Sequence, residues 1–254
     1  MFKIIRVFIL LLILAAVALG TMRDQTRSVE WKYALPVNVY LVNGDGSQVT
    51  AAYMLGLKLH DFTPIESFMK EEAARYGHTA RASIELRLGG ILATRPPEPP
   101  QQGSALDVML WSLKMRWWSY RNADTKGPGP QVKLFLRYFD PAQSSRLGHS
   151  TGLQKGMIGL VNVFATADMK NQNNVVITHE FLHTLGATDK YDVATNQPIF
   201  PDGYAIPDQV PLLPQRYAEI MAGRTPLSQN TAETPASLNE TVIGAMTAME
   251  INWQ

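Results

Sequence analysis

The sequence predicts an α+β domain, and three observations carry that expectation. Several short segments alternate polar and apolar residues over strand length. Longer segments place apolar residues at helical spacing. Hydrophobic residues make up 46% of the 254-residue chain against 18% charged, enough for one sizeable core. The 23 basic and 22 acidic side chains leave a formal charge of +1, which gives a nucleic acid no electrostatic hold. There is no cysteine, so disulfides, thiolate metal sites, cysteine nucleophiles and a lipid-modified cysteine are excluded. Any metal must be held by His, Asp, Glu or water.

At the N-terminus, Lys3 and Arg6 precede an uncharged run from Val7 to Met22. A short basic region before an apolar stretch reads as a secretory signal, and Ala16-Val17-Ala18 or Ala18-Leu19-Gly20 offers small residues at cleavage spacing. The alternative is an uncleaved anchor with its positive end in the cytoplasm. Residues 1–24 are therefore expected to be a signal peptide or membrane anchor, and residues 30–254 the folded domain. Both alternatives place that domain outside the cytoplasm, whether secreted, periplasmic or tethered to a membrane.

Pro36 to Val42 reads as a strand closed by the turn residues Asn43-Gly44-Asp45-Gly46. Thr63-Pro64-Ile65-Glu66 reads as a capping box opening a helix that Gly77 ends. Ala82 to Leu88 is a second strand, and Pro96 to Pro100 a stiff loop. Ser104 and Asp107 open a helix with Leu106, Met109, Leu110, Leu113, Trp117 and Tyr120 on one apolar face. That face is expected in the core, although its Trp residues beside Lys114, Arg116 and Arg121 would also suit a membrane surface. Gln131 to Phe139 and Met157 to Phe164 are further strands, with Ser144 to Gln154 a loop between them. Asn171 to Asn174 supply N-cap candidates for the next helix, whose β-branched start, Val175 to Thr178, needs burial to hold it. After a Pro- and Gly-containing stretch from Asp192 to Pro214, Ser237 to Glu240 reads as another capping box. Leu238, Val242, Ala245, Met246 and Met249 then predict a C-terminal amphipathic helix.

The chemistry concentrates in His179-Glu180-Phe181-Leu182-His183-Thr184-Leu185-Gly186-Ala187-Thr188-Asp189. Residues four apart share a helix face, so His179 and His183 can present two imidazoles to one ion. Glu180 can reach a water on that ion without being a ligand. Gly186 can take positive φ and let Asp189 swing back as third ligand. Asp192 is a weaker candidate for that place, and His149 reads as a loop residue.

These residues resemble the metzincin clan of zinc metallopeptidases, whose extended motif is His-Glu-x-x-His-x-x-Gly-x-x-His/Asp, followed by a methionine turn. The match runs over His179, Glu180, His183, Gly186 and Asp189, with Met221 in Ala218 to Gly223 as the Met-turn. Aspartate in the third position, with Tyr191 two residues on, is similar to the snapalysin-like and immune-inhibitor-like peptidases. The resemblance implies a metzincin-like catalytic domain: a mixed twisted sheet, an active-site helix and a C-terminal helix, preceded here by the hydrophobic signal or anchor. It further implies Zn2+ held by His179, His183 and Asp189, Glu180 as general base, and a protein or peptide as substrate. An edge strand for pairing with that substrate would fall at Met157 to Phe164. Tyr191 and Tyr217 are candidate oxyanion stabilisers, with plain packing as the alternative role. The rival readings are a gluzincin-type peptidase with Glu219 or Glu240 as third ligand, and a non-catalytic envelope binding protein that retains its zinc.

Overall fold

A five-stranded sheet, in the order Ile84–Leu92, Leu35–Asn43, Val132–Phe139, Ile158–Phe164 and Thr151–Leu153, forms the frame of the computed structural model. The structure describes residues 26–78, 84–100, 103–123 and 131–254, together with 5–8, 12, 19, 20 and 22–24. β1 (Leu35–Asn43), β2 (Ile84–Leu92), β3 (Val132–Phe139) and β5 (Ile158–Phe164) run parallel, and only β4 (Thr151–Leu153) is antiparallel. The expected sheet is thus mixed, and mostly parallel. β1, β3 and β5 are buried along nearly their whole length, because helices cover both faces and each strand is an almost continuous apolar run.

On one face lie α1 (Gln48–Gly56), α2 (Thr63–Arg75) and α4 (Lys170–Leu185), packed on Val37, Val39, Leu134, Leu136, Val161 and Val163. On the other lies α3 (Ala105–Asn122), whose Trp111 and Met115 meet Tyr40, Phe135, Ile158 and Leu160. The chain closes with β6 (Ala218–Glu219), β7 (Thr225–Pro226), β8 (Ala232–Glu233), β9 (Thr241–Val242) and α5 (Ala245–Glu250). Trp253 then packs beside Trp31, with ring centroids 5.4 Å apart.

Several expectations are corrected. The edge strand is Thr151–Leu153, within the stretch expected to be loop, while Ile158–Phe164 is interior and pairs on both sides. α2 begins after Phe62 with no side-chain cap, because the Glu66 carboxylate is taken by the Leu86 backbone N–H at 2.6 Å. α4 begins at Lys170, so Asn173 and Asn174 lie inside it. Their amides clip the helix to its surroundings instead of capping it: Asn173 exchanges hydrogen bonds with the Phe164 backbone, and Asn174 donates to the Asp61 carbonyl. The C-terminal helix is only Ala245–Glu250, since Thr241 and Val242 pair with Ala218 and Glu219 as β-structure. The largest correction concerns α3. Its expected core face is exposed, and a second face, carrying Trp111, Met115 and Ser119, is the buried one.

The expected signal or anchor at 1–24 falls largely outside the described residues. Among the described residues no helix is long and apolar enough to cross a membrane.

Candidate metal centre

Three features of α4 prepare the site. Val175, Ile177, Phe181 and Leu182 are buried against the sheet, which turns the His179 and His183 face outward. β4 then crosses that face so closely that a Cβ on Gly152 would stand 2.3 Å from His183 Cβ and 2.7 Å from the Glu180 carbonyl oxygen. Gly186 ends the helix at φ 112°, in the left-handed region that favours glycine, and redirects the chain toward Asp189. Gly152→Ala is expected to cost about 1–3 kcal/mol by overpacking. The shift in denaturant midpoint measures it, and an unchanged midpoint would contradict the close approach.

The geometry at the helix is compact. His179 Nε2 and His183 Nε2 are 3.1 Å apart, and Asp189 Oδ1 lies 3.1 Å from each. The opposite ring nitrogens fix the tautomers. His179 Nδ1 donates to the Ile220 carbonyl at 2.9 Å and His183 Nδ1 to the Ala187 carbonyl at 2.7 Å. A carbonyl only accepts, so in each neutral ring the hydrogen sits on Nδ1 and Nε2 presents its lone pair. Three acceptor atoms then face one another with no hydrogen between them. A cation resolves that conflict. Ligand atoms around a tetrahedral zinc ion stand about 3.3 Å apart, so the triangle fits one after opening by a few tenths of an ångström.

Without a cation the charge must come from a proton. Burial opposes it, but hydrogen bonding to Asp189, with the charge of Glu180 and the Ile220 carbonyl, pushes the His179 pKa up to about 9. Asp189 is raised by burial and then held well below the usual carboxylate range by hydrogen bonds from both imidazoles. Burial pushes the Glu180 carboxyl up, against the pull of His179 and His183. Glu180 Oε2 is also buried with no hydrogen-bond partner. His179, Glu180 and His183 together offer ligand atoms within 4.8 Å of one another.

The Asp189 loop is fastened from two sides. Lys190 Nζ donates to Glu250 Oε2 at 2.7 Å, and Thr188 N and Oγ1 donate to the same carboxylate. The Lys190 backbone N–H donates to the carbonyl of Met221 at 3.0 Å. Met221 itself is fully buried, in a short 3-10 turn from Ile220 to Ala222 that Gly223 ends at φ 68°. One turn thus holds both the His179 ring and the Asp189 loop.

The remaining candidates separate clearly. Tyr191 borders a cavity of about 260 Å3 with His179, Glu180, His183 and Asp189. Tyr217 does not; it lines another cavity, of about 740 Å3, with Phe68, Glu71 and Arg75. Glu219 is fully buried and engaged by Ala222 N, Gly244 N and Thr247 Oγ1, which leaves no oxygen free for a metal. Glu240 accepts from Ala236 N. Asp192 Oδ1 is used within its own turn by Ala194 and Thr195. His149 borders the Glu180 cavity from the loop before β4, a placement that its sequence neighbours did not signal. A smaller cavity, of about 200 Å3, also reaches His179 and Tyr191 and is lined by Val175, Ile220 and Arg224. No protein-family model matches the chain and no curated protein does, so what the site can do follows from its own atoms.

Proposed function

We propose that the chain is an extracytoplasmic zinc-dependent endopeptidase similar to the metzincin clan, with His179, His183 and Asp189 as ligands and Glu180 as general base. The observation that supports it most is the triangle of lone-pair-bearing atoms, each 3.1 Å from the next, whose imidazole tautomers are fixed from behind. An orphaned buried carboxylate oxygen beside it adds the base. The mostly parallel sheet with its antiparallel edge strand, and the tight turn at Met221, are in keeping with the same family.

Zinc bound there would supply Lewis acidity toward a water and toward the scissile carbonyl. Glu180 accepts the proton of the attacking water and returns it to the departing amine. Tyr191 and His149 border the same cavity, and a hydroxyl or imidazole turned into it can donate to the carbonyl oxygen as charge builds there. β4 lies at the sheet edge beside this cavity, where an extended peptide can add as a strand. Arg224, which has no ion-pair partner among the described residues, would favour an acidic side chain in the cavity next to His179.

Purified full-length chain is expected to carry one zinc ion. Chelation should abolish casein hydrolysis, and added zinc should restore it. Hydrolysis that continues undiminished in metal-depleted protein refutes the assignment.

A further inference from the structure

α3 is apolar on two opposite sides. Advancing 100° per residue, Trp111, Met115, Trp118 and Ser119 fall on one side, and these pack on the sheet. Leu106, Met109, Leu110, Leu113, Trp117 and Tyr120 fall within about 100° of arc on the other side. Each of these six side chains is between 45% and 76% exposed. A continuous stripe of six large apolar residues on one helix is more than the scattered exposure of an ordinary surface, and it marks a docking face.

The charges around the stripe indicate what it meets. Lys114 and Arg121 lie along one edge; Arg116, along the other, is turned to the Lys155 carbonyl, to which it donates. Arg121 lies over the Trp117 ring, 5.8 Å from its centroid, and no carboxylate pairs with Lys114 or Arg121 among the described residues. The one acidic residue of the helix, Asp107, is locked to Ser104 in the N-cap. A second copy of the chain seated isologously on this face would bring the two basic rims together, at a cost in repulsion. An anionic lipid surface takes the same rim favourably. Aliphatic side chains with Trp and Tyr, flanked by Lys and Arg, are also the side chains that settle at the boundary between headgroups and acyl chains. The uncharged run from Val7 to Met22 behind Lys3 and Arg6 gives the chain a second stretch suited to lipid.

We propose that the exposed face of α3 lies in the interface of a bilayer containing anionic lipids, parallel to the membrane plane. α3 and α4 cover opposite faces of the sheet, so this docking turns the His179 cavity away from the lipid and toward the aqueous side. The substrate class is then a polypeptide in the water layer above the membrane, not one embedded in it. The docking itself does not depend on the peptidase reading, and its test has no activity readout.

The absence of cysteine makes the test direct. Full-length Leu113→Cys, an exposed position on the stripe, carries a nitroxide label. Full-length Val49→Cys, exposed on α1 across the sheet, is the control. With vesicles of phosphatidylglycerol and phosphatidylcholine, the label at 113 is expected to lose collisions with a water-soluble nickel chelate several-fold and gain collisions with oxygen. The label at 49 should change in neither. A label at 113 that stays as open to nickel with vesicles as without them overturns the proposal. Concentration-dependent immobilisation at 113 without lipid also overturns it, in favour of a second copy. Equal immersion on pure phosphatidylcholine overturns the anionic preference.

Discussion

Glu180→Gln is expected to lower the rate of peptide hydrolysis by about 10²–10⁴-fold while leaving bound zinc unchanged. The amide matches the carboxylate in size but has no basic oxygen with which to take a proton from water. The residue is well suited to such a swap, because Glu180 Oε2 is buried without a partner and supports no neighbouring donor. Casein hydrolysis and zinc content, measured on the same preparation, separate the outcomes. Equal rates in the two proteins would refute the mechanism but not the metal site. Loss of zinc together with activity would make Glu180 a ligand instead of a base.

Asp189→Ala is expected to weaken zinc binding by more than the ~10–100-fold that loss of an outer-shell partner costs, because it removes a charged ligand outright. Two imidazoles would remain, held in place by the Ile220 and Ala187 carbonyls. The substitution leaves the anchors of the loop alone, since Thr188 and Lys190 keep Glu250. A fall in zinc content with an unchanged circular dichroism spectrum is the expected pair of results. Full retention of zinc would remove Asp189 from the ligand set. Glu219 would be a poor replacement, with both its oxygens already engaged by Ala222, Gly244 and Thr247.

The parts of this molecule legible in its sequence are those where local geometry decides. His179, Glu180 and His183 share a helix because of their spacing, and Gly186 takes the positive φ that the turn to Asp189 needs. β1 and β3 were legible from partial alternation, although both are buried along nearly their whole length, as parallel strands covered on two faces are. Position in space was less legible. β4 is three half-buried residues with no alternation to find, and its contact with α4 shows only in what a Cβ on Gly152 would strike. Periodicity reported a stripe on α3, but a helix with apolar residues on two sides does not say which side the sheet takes. Asn173 and Asn174 have the chemistry of caps and were used to clip the helix to its neighbours, because amides satisfy remote backbone groups as well as local ones. His149 comes to the Glu180 cavity through the loop before β4, and nothing beside it in sequence announces this.

The fastening of the Asp189 loop also sets an order in time. Both imidazoles are in the chain by residue 183, yet the carboxylate holding Thr188 belongs to Glu250, 62 positions downstream. The carbonyl that orients His179 comes from Ile220, 41 positions after it. A chain still emerging during synthesis therefore carries the motif long before the contacts that arrange it. On the reading proposed above, such a chain cannot cut its neighbours until α5 docks on the Asp189 loop.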